Sequence, residues 1–119
     1  MKSIDFAIME VESGGDVNAI GDHHLEYRAY GPMQIRQPAC LDVNRAYGTH
    51  FEARDMLGWK SKSLAVFWLY MSLYATVEKL GRMPTDEDRA KIWNAGPRGP
   101  FTHAADAYWA KVKAAMERP

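Results

Sequence analysis

A single cysteine, Cys40, is all the thiol this 119-residue chain carries. No intrachain disulfide can form, and the redox compartment is left open. Net charge is missing as well, since fifteen Lys and Arg are cancelled by fifteen Asp and Glu. That balance removes bulk attraction to nucleic acid or to an anionic membrane surface. No apolar run is long enough to span a bilayer. The segment before residue 12 has Lys2 but no apolar core and no small-residue cleavage site, so no signal peptide is expected. Action outside the cytoplasm would then need a removed leader, a phage release route or a secretion machine. Internal repeats, low-complexity tracts and linkers are also lacking.

What remains is an ordinary globular composition, 47% hydrophobic and 25% charged, in one expected domain over residues 1–119 that is long enough to bury a core. Four Trp and six Tyr are generous for this length. Aromatic faces suit stacking on sugar rings, although core packing is their commoner use. Cys40 lies among apolar neighbours and reads as a small buried hydrophobe.

Ile4, Phe6, Ala7, Ile8, Met9 and Val11 form an apolar stripe of helical period, with Ser3 or Asp5 as an N-cap. Glu12 comes four residues after Ile8 on the same face, and Gly14-Gly15 ends the helix. A carboxylate there loses hydration and meets the negative end of the helix dipole, and both disfavour its charged form. It is thus either a general acid or, with Glu10, a solvated helix-end charge. From Gly14 to Ala29 the residues are polar and aperiodic, which predicts a loop with a small hairpin around Gly21-Asp22. His23 and His24 are adjacent and so point apart, with no ligand pattern around them, and no metal is expected. In Tyr30-Gly31-Pro32-Met33-Gln34-Ile35, Met33 and Ile35 read as core and Gln34 as the polar residue left over.

Further helices are predicted from Pro38 to Gly48, from Glu52 to Leu57, and from Ser61 or Ser63 to Gly81. The last of these carries a stripe of Leu64, Phe67, Trp68, Met71 and Ala75 as the central core helix. Thr85 followed by Asp86, Glu87 and Asp88 starts another helix in capping-box fashion, and Gly96-Pro97 stops it. A last helix is expected from about His103 to Met116. The chain is thus predicted to be mainly α.

Glu12-Ser13-Gly14-Gly15, then Tyr30-Gly31-Pro32-Met33-Gln34-Ile35, then Trp93-Asn94-Ala95-Gly96-Pro97, in that order, resembles the three-part signature of the soluble lytic transglycosylases, relatives of goose-type lysozyme. Pro32 stands where the family has Leu, and Trp93 where it has Tyr. The resemblance implies a lysozyme-like fold with a short β-hairpin or irregular cleft loop. It implies cleavage of the β-1,4 bond between N-acetylmuramic acid and N-acetylglucosamine, in the periplasm or cell wall, without cofactor and as a monomer. Glu12 would be the catalytic acid and then the base that closes a 1,6-anhydro ring. Ser13, Tyr30, Gln34, Trp93 and Asn94 would line the cleft on peptidoglycan glycan strands.

Two enzyme readings stay open. A transglycosylase needs only Glu12, whereas an inverting muramidase wants a second carboxylate about 6.5–9.5 Å away. Asp22 and Glu26 are the candidates for that carboxylate, and Asp16 reads more as a turn cap. Two non-enzyme readings stand beside them: a peptidoglycan-binding module with chemistry lost, and a small helical interaction protein in which the motifs are coincidental.

Overall fold

The computed structural model describes residues 1–119, in two compact units. One unit is assembled from two separate stretches, Met1–Val11 and Met71–Pro119, and the other is the continuous stretch Glu12–Tyr70. Six helices and one two-stranded sheet make up the regular structure, so the chain is mainly α, as the sequence predicts. No helix is long and apolar enough to cross a membrane.

In the first unit, helix α1 (Ile4–Ser13) buries Ile4, Ala7, Ile8 and Met9, while Phe6 on the predicted stripe stays exposed. Helix α3 (Lys60–Tyr74) passes into this unit at Met71. It stops at Tyr74, and Thr76 caps a separate short helix, α4 (Val77–Leu80), by accepting the Lys79 amide at 3.1 Å. The single helix predicted to run to Gly81 is therefore two. A hydroxyl that can bond a free helix N–H offers the backbone a new start, which is how Thr interrupts helices.

Helix α5 (Asp86–Ala95) begins with the predicted capping box, Thr85 Oγ1 accepting the Asp88 amide and the Asp88 carboxylate accepting the Thr85 amide. Asp88 is buried and also takes a bond from the Arg82 guanidinium at 2.6 Å. Helix α6 (Asp106–Glu117) packs on α5 and buries Val112 and Ala115. Lys91, buried on α5, reaches Glu87 at 2.8 Å and Asp106 at 3.0 Å. Burying an ammonium is tolerated because two carboxylates receive it.

In the second unit, strand β1 (Ile20–Gly21) pairs antiparallel with β2 (Ala29–Tyr30), Ile20 opposite Tyr30 and Gly21 opposite Ala29. This is the hairpin expected around Gly21-Asp22, with Asp22 at φ +56°. Helix α2 (Gln37–Tyr47) carries the predicted Pro38 in its first turn and ends on Gly48 in the left-handed conformation. A 3-10 turn, Ala53–Met56, follows. Met33, Ile35, Cys40, Val43, Met56, Val66 and Phe67 are fully buried here.

Candidate functional site

The motif residues of the second unit sit where the chain reverses twice. Glu12 is half-buried on the last turn of α1. Ser13, next to it, donates from Oγ to the Pro32 carbonyl at 2.7 Å and accepts the Gly15 amide at 3.1 Å. The helix end and the Tyr30–Ile35 segment are therefore tied by a side chain, within one unit.

Gln34 is placed by the opposite end of that segment. Tyr30 and Ile35 exchange two backbone hydrogen bonds, at 2.9 and 3.0 Å, which forces the four residues between them into a tight turn. Gln34 takes φ +53°, and its side-chain amide donates to the carbonyls of Ala19 at 3.2 Å and Gly31 at 3.0 Å. Its amide N–H groups thus serve the hairpin itself. Gly31 has φ +81°, and a Cβ there would lie 2.6 Å from the Met56 carbonyl oxygen. Only glycine fits a position so close to another segment's backbone.

Tyr30 is half-buried on β2. Asp22 lies 3.9 Å from Arg36, whose Nε also donates to the Tyr27 carbonyl at 3.0 Å. Asp16 accepts the Asn18 amide at 2.9 Å, a turn cap of the expected kind. His23 bonds the Ile20 carbonyl through Nε2 at 2.9 Å, and no three His, Cys, Asp or Glu converge on a point. Trp93 and Asn94 belong to the other unit, on the last turn of α5, Trp93 half-buried and Asn94 exposed.

Sequence reasoning did not find a cavity of about 530 Å³ in the second unit. Its walls are the return arm of the hairpin, with Glu26, Tyr27, Arg28 and Tyr30, and the segment Glu52–Asp55, with Gln37 of α2 between them. Gln37 fixes the far wall, accepting the Ala53 amide at 2.9 Å and donating to Glu52 at 3.2 Å. The two walls are more than twenty residues apart in sequence, and only the alternation of Tyr27, Arg28 and Tyr30 could have drawn attention to one of them. Cys40, on α2, is buried. Burial, with the carboxylates of Glu52 and Asp55, pushes its thiol up to about 12.

No protein-family model matches this chain, and no curated protein matches it. Among solved structures it is similar to a chain of the crystal structure of Aeromonas hydrophila PliI in complex with Meretrix lusoria lysozyme. The TM-score is 0.72, with 23% identity over 93% of this chain and 86% of that one. At that identity the likeness is one of fold.

These findings overturn the resemblance to soluble lytic transglycosylases and goose-type lysozymes. The matched structure is of one protein bound to another, which points away from peptidoglycan cleavage, whether by a transglycosylase or a muramidase. The expected enzyme and glycosidase class is corrected accordingly, as is the expectation of peptidoglycan glycan strands as partner. The same correction covers the peptidoglycan-binding module. The physical reason is that the three motifs are short and built of turn formers. Gly14 and Gly15 end α1 with φ +65° and +85°, Gly31 is required by the Met56 carbonyl, and Gly96 caps α5 with φ +86°. Ser13 and Gln34 hold backbone carbonyls. Each of these residues has a task inside the fold that would keep it there without any substrate.

Proposed function

We propose that this chain acts by binding a protein, in a pairing of the kind made by PliI and lysozyme, and carries out no chemistry on its partner. The observation behind this reading is the likeness in fold, along nearly the whole chain, to a member of that complex. Within this proposal the helices and short hairpin form a lysozyme-like arrangement, as one member of such a pair does.

The surface of the second unit supports it. Tyr27, Tyr47, Trp59 and Trp68 are each 40% exposed or more. Large aromatics left in water at folding are the residues that anchor protein interfaces, along with Arg. Lys62 sits 3.9 Å over the Trp59 ring, which holds that indole in place before any partner arrives.

Isothermal titration of the purified chain against Aeromonas hydrophila PliI and against Meretrix lusoria lysozyme tests the proposal. Saturable one-to-one binding of either protein, with no fragments released from purified peptidoglycan, is the expected result. Two results would overturn it: no binding to both proteins, or release of muropeptides that stops in Glu12→Gln.

A further inference from the structure

We infer that the cavity between the hairpin's return arm and the Glu52–Asp55 segment seats a loop of the protein partner that presents an acidic and a basic side chain together. This inference rests on the protein-binding reading above and locates its contact surface.

The walls carry both signs of charge, and the charges are not spent on one another. Arg28 and Arg54 line the cavity with Glu26 and Asp55, yet none of the nine ion pairs in the structure joins any two of these four, and no side-chain hydrogen bond reaches them. All four are exposed. The backbone of both walls is fixed in the free protein, since Tyr30 exchanges two bonds with Ile35, and Gln37 holds both the Ala53 amide and the Glu52 carboxylate.

Charge of both signs discriminates among ligands. A nucleic acid or a free anion would gain Arg28 and Arg54 but meet Glu26, Asp55 and the Gln37-bonded Glu52, and a simple cation would meet the two guanidiniums. A loop with one carboxylate and one ammonium or guanidinium satisfies all four groups, and planar guanidinium groups are suited to bidentate carboxylate contacts. The Tyr27 and Tyr30 rings supply apolar wall and a face for the basic side chain. A volume of about 530 Å³ admits a few side chains and not a folded element.

The test compares the parent with Arg28→Glu/Arg54→Glu and with Glu26→Lys/Asp55→Lys, titrated against PliI and the lysozyme. Thermal melting of each variant provides the folding control, and since the four side chains are exposed and unpaired, unchanged melting is expected. Affinity should fall about tenfold or more in both double variants, and the parent's affinity should weaken as salt rises. Parent-like binding by both variants would overturn this inference and leave the proposed function standing. If the parent binds neither protein, both fall. A parent that dimerises by sedimentation, with the dimer lost on Arg28→Glu/Arg54→Glu, would assign the cavity to a second copy of the chain and also overturn the inference.

Discussion

Gln34 Oε1 fills the space in which a side chain on Gly21 would begin: a Cβ on Gly21 would lie 2.2 Å from it. The missing side chain of one residue is the binding room of the other. Gly21→Ala is expected to push the Gln34 amide off the Ala19 and Gly31 carbonyls, since the end of a long side chain yields before backbone does. Gly21→Ala and Gln34→Ala should each cost about 1–2 kcal/mol, and the double variant little more than either alone. Denaturant unfolding of the four proteins measures this. Strict additivity would show that the two residues do not share one interaction.

Gly31 differs because what it faces cannot step aside. A Cβ there meets the Met56 carbonyl oxygen at 2.6 Å and is held at φ +81°. Gly31→Ala is expected to destabilise by about 2–4 kcal/mol. Gly14→Ala has the same backbone strain, at φ +65°, with nothing within 4 Å, and should cost only about 1 kcal/mol. Equal losses by calorimetry would refute the steric account.

Cys40 should behave as a silent thiol. Burial first, then the nearby carboxylates, raise it from 9.0 to about 12. The native protein therefore keeps its proton where the unfolded chain has lost it, and stability is expected to fall as pH rises from 9 toward 12. Reaction with an aromatic disulfide reagent at pH 8 should be slow in the native protein and immediate in denaturant. Fast native labelling would contradict this.

Asp88 predicts the acid limb. Burial pushes its carboxyl upward, but the Arg82 guanidinium and the two bonds from Thr85 outweigh it, so the group lies below its ordinary 3.8. Its contribution is present above that value and is lost as pH falls further through the native one. Asp88→Ala should cost about 2–3 kcal/mol near pH 7, from the lost ion pair and cap, and less as the pH is taken below 3.8. Melting temperatures of parent and variant from pH 7 down to 2 should converge. A constant gap would mean the carboxylate charge is not involved.

Much of the helical frame could be read from sequence because its signals are local. Pro38 and Gly48 bound α2, Thr85 and Asp88 start α5, and the turn at Asp22 is where the hairpin reverses. The central helix was only partly legible. The predicted stripe puts Trp68 in the core and Ser63 at a cap, but Ser63 is fully buried and Trp68 is 40% exposed. Ser63 can be buried because its hydroxyl donates to the Trp59 carbonyl at 2.8 Å, and Trp68 rests edge-on against Phe67 with ring centroids 5.0 Å apart. Neither fact has a pattern in one dimension. The cavity was less legible still, since its walls, β2 and the Ala53–Met56 turn, meet across more than twenty residues of sequence, and Gln37 bonds Glu52 and Ala53 over fifteen and sixteen. The motifs misled for the converse reason: Gly14, Gly31 and Gly96 are dictated by backbone geometry, which is the same whatever the surface binds.

The first unit is made of residues 1–11 and 71–119, and the Lys2 amide bonds the Met116 carbonyl at 2.9 Å, with Glu10 held between Lys2 and Arg118. A ribosome releases those two stretches at opposite times. The whole of Glu12–Tyr70 emerges between them, before any residue of the second stretch exists. The bonds from Lys2 to Met116 and from Glu10 to Arg118 can form only once α6 has been made, so the earliest residues made are among the last to be secured.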